Sequence, residues 1–276
     1  MNIAKMTAIA AVHFGICLFS TTSHAGPFIL SGTDADDHGS ATATTNLDGW
    51  LYMQKVLENL APAVTNGNTV VVALGSNPGS TAGNAAASAF GKSSLVGLGW
   101  TFQTVNGAAD ITTFLSGGAS GAGIIMLDSA NNVSGGATAA ELAAISAEAI
   151  SLNNFVGGGG GLFSQENNFG FLGALGLGVT IANESQTGIE LTPAGQSAFP
   201  GLTNSDLSAG PYHAVFNNVG LIPVLGISAG SGNNVIIGSS TGSIIDPGTP
   251  GTVPEPMTAA VLGIGLAGLG LMRRRL

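Results

Sequence analysis

Across 276 residues the chain carries a net charge of −9, with 6 basic against 15 acidic side chains and 44 glycines. Between its two ends the only basic residues are Lys55 and Lys92, so the surface repels phosphate and nucleic acid is excluded as a partner. Apolar runs recur throughout, which excludes a disordered polypeptide, and the stretch between the ends is long enough for one domain with a full core.

Met1 to Lys5 is a short basic start, Met6 to Phe19 an apolar stretch, and Thr21 to Ala25 a polar end with small residues. Residues 1–25 therefore read as a secretory signal peptide cut after Ala25. Cys17, the only cysteine, lies inside that stretch. The mature chain is then expected to lack disulfides, thiolate metal sites and thiol nucleophiles.

Residues 26–241 read as one α/β domain. Phe28-Ile29-Leu30 is a short apolar run that ends in a polar loop. Trp50, Met53, Leu57 and Leu60 recur at helical spacing, and Pro62 closes that helix. Val70 to Leu74 predicts a buried strand, Ala85 to Phe90 a helix of small residues, and Trp100 to Val105 a further strand. A short helix is expected after Asp110, then a buried strand at Ile124 to Leu127. Thr138 and Glu141 form a capping-box pattern. Leu142, Ile145, Ala149, Leu152 and Val156 then fall on one stripe, which implies a single long helix. Gly157 to Gly161 ends it, and Leu162-Phe163 begins a strand. From Val179 to Ile237 the pattern is richer in strands. Pro223 there suits an edge strand or a strand start.

Strand–helix alternation with continuous apolar strands predicts a mostly parallel sheet covered on both faces, a three-layer flavodoxin-like fold with a strand-rich C-terminal part. The segment from the buried strand through the amphipathic helix and Phe155-Val156 to the glycines and Leu162-Phe163 resembles class I glutamine amidotransferase-like domains, over roughly residues 28–220. That resemblance implies the fold. It argues against amidotransferase chemistry, because Ser164 to Asn168 holds neither the usual cysteine nor its Gly-x-Cys-x-Gly frame.

In an open parallel sheet ligands bind beyond the carboxyl ends of the strands. Four segments should meet there: Ser31 to Ser40, Gly75 to Ser80, Asp128 to Asn132 and Ser164 to Asn168. The first concentrates Asp34, Asp36, Asp37 and His38 within five residues. Alternating carboxylates can ligate Ca²⁺ or Mg²⁺, with Asp34, Asp36 and Asp37 as the metal donors and Asp128, Gln165 and Glu166 completing a polar shell. A solvated acidic turn is the alternative. His213 is expected as a partly buried structural histidine.

Three motifs fail on context. Gly226-Ile227-Ser228-Ala229-Gly230 matches Gly-x-Ser-x-Gly, but a strand rather than a helix follows it. Gly91-Lys92-Ser93 lacks the first glycine of a phosphate loop. The glycine run 157–161 has no dinucleotide spacing.

Residues 242–253 read as a linker, and residues 254–276 as a tail with an uncharged apolar span at 257–272 ahead of Arg273-Arg274-Arg275. As a helix, that span reaches roughly 24 Å, the short limit for crossing a bilayer. The arginines would stay cytoplasmic, placing the domain outside. The order Val253-Pro254-Glu255-Pro256, apolar span and basic end resembles the PEP-CTERM sorting signal of Gram-negative bacteria. The resemblance implies an exosortase-type partner that processes the tail, a C-terminal transmembrane helix, and an envelope or secreted destination, often beside exopolysaccharide. The expected function is a non-catalytic envelope or matrix protein that holds a polar ligand or cation. The competing reading is a metal-dependent hydrolase built on Asp34, Asp36, Asp37 and His38.

Overall fold

The computed structural model describes residues 26–208 and 210–239. The expected signal peptide at 1–25, the linker at 242–253 and the tail at 254–276 lie outside the described residues. Among the described residues no helix is long and apolar enough to cross a membrane.

The first half alternates strand and helix. β1 (Phe28–Ser31) leads through a small hairpin, β2 (Gly39–Ala41) and β3 (Asn46–Asp48), into α1 (Gly49–Leu60). β4 (Val70–Leu74), α2 (Thr81–Gly91), β5 (Thr101–Val105), α3 (Ala108–Ser116) and β6 (Ile124–Leu127) follow. Next come α4 (Ala139–Ala147), α5 (Ala149–Gly157) and β7 (Gly161–Ser164). The second half holds β8 (Thr180–Thr187), β9 (Ile189–Leu191), the short α6 (Pro193–Ala198), β10 (Pro211–Asn217), β11 (Val224–Ser228) and β12 (Asn234–Ser239). Pro223 stands just ahead of β11, where its missing N–H costs no ladder bond.

One ten-stranded sheet runs in the order β5-β4-β6-β7-β1-β12-β10-β8, with β11 on β12 and β9 on β11. The first five strands in this order pair in parallel, and β12 meets β1 antiparallel. The parallel strands bury alternate residues on opposite faces. Val71, Ala73, Ile124, Met126 and Ile29 pack under α1 and α2. Val72, Leu74, Ile125, Leu127, Phe28 and Leu30 pack under α3, α4 and α5. Each such aliphatic side chain contributes about 1.5–3 kcal/mol when fully buried. Covering both faces explains why these strands read as unbroken apolar runs.

The long helix expected from Thr138 to Val156 is two helices. The capping box forms, with Thr138 Oγ1 accepting from the Glu141 N–H and Glu141 Oε2 accepting from the Thr138 N–H. The backbone leaves helical geometry at Glu148, at φ −97° and ψ 22°. Phe155, absent from the expected stripe, is buried beside Leu152 and Val156, while Leu142 is only half-buried. The buried positions thus shift between the two helices, and both pack on the same face of the sheet.

Two chain segments approach closely enough to require glycine at one point beside the site. A Cβ on Gly32 would overlap the Ala214 carbonyl, so only glycine lets β10 lie against the loop after β1. The Gly32 carbonyl there accepts from the N–H groups of His213 (2.9 Å) and Ala214 (3.3 Å).

Candidate functional site

The four loop segments meet at the carboxyl edge of the sheet. The loop after β1 is fixed by its own backbone: the Asp37 N–H donates to the Asp34 carbonyl (3.0 Å), and Gly49 N–H to the His38 carbonyl (2.9 Å). Trp50 Nε1 donates to the Asp36 carbonyl at 2.8 Å. Glu166 N–H donates to the Thr33 carbonyl (3.1 Å), which ties the loop after β7 to the loop after β1.

The order of strands reverses between β4 and β6, since β5 lies on one side of β4 and β6 on the other, and there a parallel sheet opens its crevice. That crevice is closed by Asp128, whose carboxylate accepts from Ser76 Oγ (2.8 Å) and from the N–H groups of Ala130 (2.8 Å) and Ala137 (3.1 Å). Asn168 Nδ2 donates to the Asp128 carbonyl at 2.5 Å. Ala130 takes a left-handed φ of 56° to curl its N–H back onto this carboxylate. Asp128 is therefore a bracket between loops. Burial still raises its pKa, with these donors opposing the rise.

The open acidic group lies further along the edge, beyond β7 and β1. The three loop carboxylates do not share one shell as the sequence suggested. Asp34, Asp37 and His38 form one group whose ligating atoms lie within 4.8 Å of one another. His38 Nε2 is 3.2 Å from Asp34 Oδ2 and 3.9 Å from Asp37 Oδ2. Asp36 belongs instead with the loop after β6, its Oδ2 accepting from Ser129 N–H at 2.9 Å. Asp36 thus leaves the loop in another direction from its neighbour Asp37.

His213 was expected to be structural, yet its Nε2 lies 3.3 Å from Asp34 Oδ2. Asp34 is thus bracketed by two imidazoles through one oxygen. Its other oxygen, Oδ1, is buried with no hydrogen-bond partner among the described residues, as is Asp36 Oδ1. Gln165 is fully buried at the end of β7, and neither of its amide atoms is paired there. Glu166 accepts from the side-chain amides of Asn132 and Asn167.

The electrostatics follow from this packing. Burial pushes the Asp36 carboxyl up to about 7, and the Asp128 charge adds to the rise. Glu166 is also pushed up to about 7, by burial first and then by Asp34 and Asp36. Asp34 is raised by burial while His38 and His213 pull it back. No Lys or Arg is ion-paired with any of these carboxylates among the described residues. A buried carboxylate without a countercharge has two outlets: it keeps its proton, or it takes up a cation.

Of the residues read from sequence, Asp34, Asp37 and His38 make the group able to hold a metal. Asp36, Gln165 and Glu166 form a buried polar floor, and Asp128 braces the loops. Sequence reasoning missed Ser76, Ser129, Asn132 and Asn168 individually, although each falls inside one of the four converging segments. It gave no hint of Ser185, whose Oγ lies 2.9 Å from His213 Nδ1. The lures stay silent: Lys92 caps the end of α2 and donates to Ser88 Oγ, and Ser228 ends a strand that turns into β12. Comparison with protein-family models, with curated proteins and with solved structures finds no match.

Proposed function

We propose that this is an exported envelope protein of a Gram-negative bacterium, sorted by its PEP-CTERM-like tail, whose α/β domain binds a divalent cation at the carboxyl edge of its sheet. The observation that carries the cation reading is Asp34. It is buried, it stands beside Asp37 and His38, and its Oδ1 has no hydrogen-bond partner among the described residues. An unpaired buried carboxylate oxygen is costly unless a proton or a metal meets it.

The donors refine which cation fits. Two carboxylates and an imidazole suit Mn²⁺ or Zn²⁺ better than the all-oxygen shell expected for Ca²⁺ or Mg²⁺. The flavodoxin-like reading is supported by strand order. Strands β4 to β7 run in the order 2-1-3-4 when counted from β4, and β1, the first strand of the chain, adds a fifth parallel strand beside β7. Helices α1 and α2 share one face and α3 to α5 the other.

Calorimetric titration of the purified chain with Mn²⁺, Zn²⁺, Ca²⁺ and Mg²⁺ tests the binding. Mn²⁺ or Zn²⁺ should bind at one site, and Asp34→Asn and His38→Ala should abolish it. Absence of heat with all four ions defeats the cation reading. Fractionation of cells carrying the chain with and without residues 254–276 tests the sorting. The tail should decide whether the protein reaches the envelope and is retained there.

A further inference from the structure

The contact between Ser185, His213 and Asp34 spans three distant parts of the chain and has the order of a nucleophile, a base and an orienting carboxylate. Ser185 Oγ is 2.9 Å from His213 Nδ1, and His213 Nε2 is 3.3 Å from Asp34 Oδ2. Ser185 is exposed on β8, His213 is about a third exposed, and Asp34 is buried. An open nucleophile, an imidazole and a buried carboxylate that orients it stand in the order of a catalytic triad.

The backbone builds this contact deliberately. β8 and β10 pair in regular register except between Tyr212 and Ala214. There Tyr212 faces Gln186 and Ala214 faces Asn183, so Glu184 and Ser185 together oppose His213. This is a β-bulge, a device that re-aims side chains and recurs beside active sites. On the other side, Gly32 lets β10 press against the Asp34 loop and accepts the His213 N–H.

The bulged strand is also pinned. Glu184 accepts from Tyr212 Oη (2.7 Å), Ser231 Oγ (2.5 Å) and Asn233 Nδ2 (2.5 Å). These three donors hold down an edge strand whose side chains are otherwise mostly exposed. Ser185, one residue on, is thereby kept within reach of the imidazole. A carboxylate on Nε2 fixes the tautomer that leaves Nδ1 free to accept the serine proton.

We propose that Ser185, His213 and Asp34 form an acyl-transfer site that hydrolyses small, neutral esters. Ser185 Oγ attacks the ester carbonyl carbon while its proton passes to His213 Nδ1. The tetrahedral adduct collapses, the carbon–oxygen bond to the alcohol breaks, and His213 returns the proton to the departing oxygen. Water then gives a proton to His213 and attacks the acyl carbon. The acid leaves, and the proton goes back to Ser185 Oγ. Asp34 touches no substrate and serves as the positioning residue. The substrate class follows from the surroundings. Asn183, Glu184, Gln186 and Thr187 flank the serine along its exposed strand, and this polar setting with no Lys or Arg in the strand suits a small, neutral ester.

The proposal shares Asp34 with the cation reading but needs no cation, so the test is run on the full chain in detergent with EDTA. A fluorophosphonate reagent forms an Oγ–P bond with expulsion of fluoride, and mass spectrometry locates the adduct. The expected result is an adduct on Ser185 with parallel loss of p-nitrophenyl acetate turnover. Ser185→Ala should lose both with an unchanged circular dichroism spectrum. His213→Ala should slow labelling by at least about a hundredfold, and added imidazole should restore it. Asp34→Asn should lower the limiting rate of bond formation and leave the half-saturating reagent concentration unchanged. A folded chain with no adduct on Ser185, or one labelled equally fast in His213→Ala, overturns the proposal. Intact cation binding without an adduct defeats only the acyl-transfer site. An adduct without cation binding defeats only the cation reading.

Discussion

Asp128 and Asp36 are both buried at the same edge of one sheet, but they are treated in opposite ways. Asp128, after β6, collects a hydroxyl and two backbone N–H donors on its carboxylate. Asp36, in the loop after β1, has one backbone donor on Oδ2 and no partner for Oδ1 among the described residues. A fold that can satisfy one buried carboxylate this fully has the means to satisfy another. The difference separates a carboxylate that holds loops together from a group left available for a proton or an ion.

The comparison breaks most visibly at Asp128. Asp128→Ala strands several buried donors, and denaturant unfolding should show a loss of about 3–5 kcal/mol. If the loss is small, Asp128 is no bracket.

The pH dependence sharpens the other side. Asp36 binds its proton more tightly in the folded chain, at about 7 against an ordinary 3.8. The folded state then holds more protons than the unfolded one between these values, so stability falls as pH rises. This contribution is complete below about pH 4 and is lost as pH passes through about 7, amounting to up to about 4 kcal/mol. Glu166 acts in the same direction. Melting curves without added cation should therefore show lower midpoints at pH 7.5 than at pH 4.5. Asp36→Asn should flatten that slope.

Gly32→Ala should cost about 1–3 kcal/mol by forcing β10 away from the loop. The distance from His213 to Asp34 should grow in a crystal structure of that variant. The smallest effect is expected away from the site. Thr138→Ala removes the cap of α4 and should cost about 1 kcal/mol, with no change in the pH slope.

The parallel half was legible because its strands are buried on both faces. Val70 to Leu74 and Ile124 to Leu127 can be little else, and the rule for parallel sheets then brings their following loops together. The pairing of residues within that edge was not legible. Nothing in Asp34-Ala35-Asp36-Asp37-His38 says that Asp36 turns to Ser129 while Asp34 turns to the histidines. The antiparallel half hid more. β8 is a polar, mostly exposed strand without a clear alternation, and its register with β10 depends on a bulge. Ser185 and His213 are 28 residues apart and meet only because of that bulge. Gly32 is one of 44 glycines, and its close approach to Ala214 has no local signature. The break at Glu148 is invisible for a related reason: the stripe on either side keeps helical spacing.

Proton release on metal binding tests the central claim most directly. Titration of the chain with Mn²⁺ or Zn²⁺ at pH 7, in buffers of different ionisation enthalpy, counts protons displaced per ion. The carboxyls of Asp36 and Glu166, both pushed up to about 7 beside the Asp34 group, should release on the order of one proton, and Asp36→Asn should reduce the number. Binding with no proton release, unchanged in Asp36→Asn, would contradict the account.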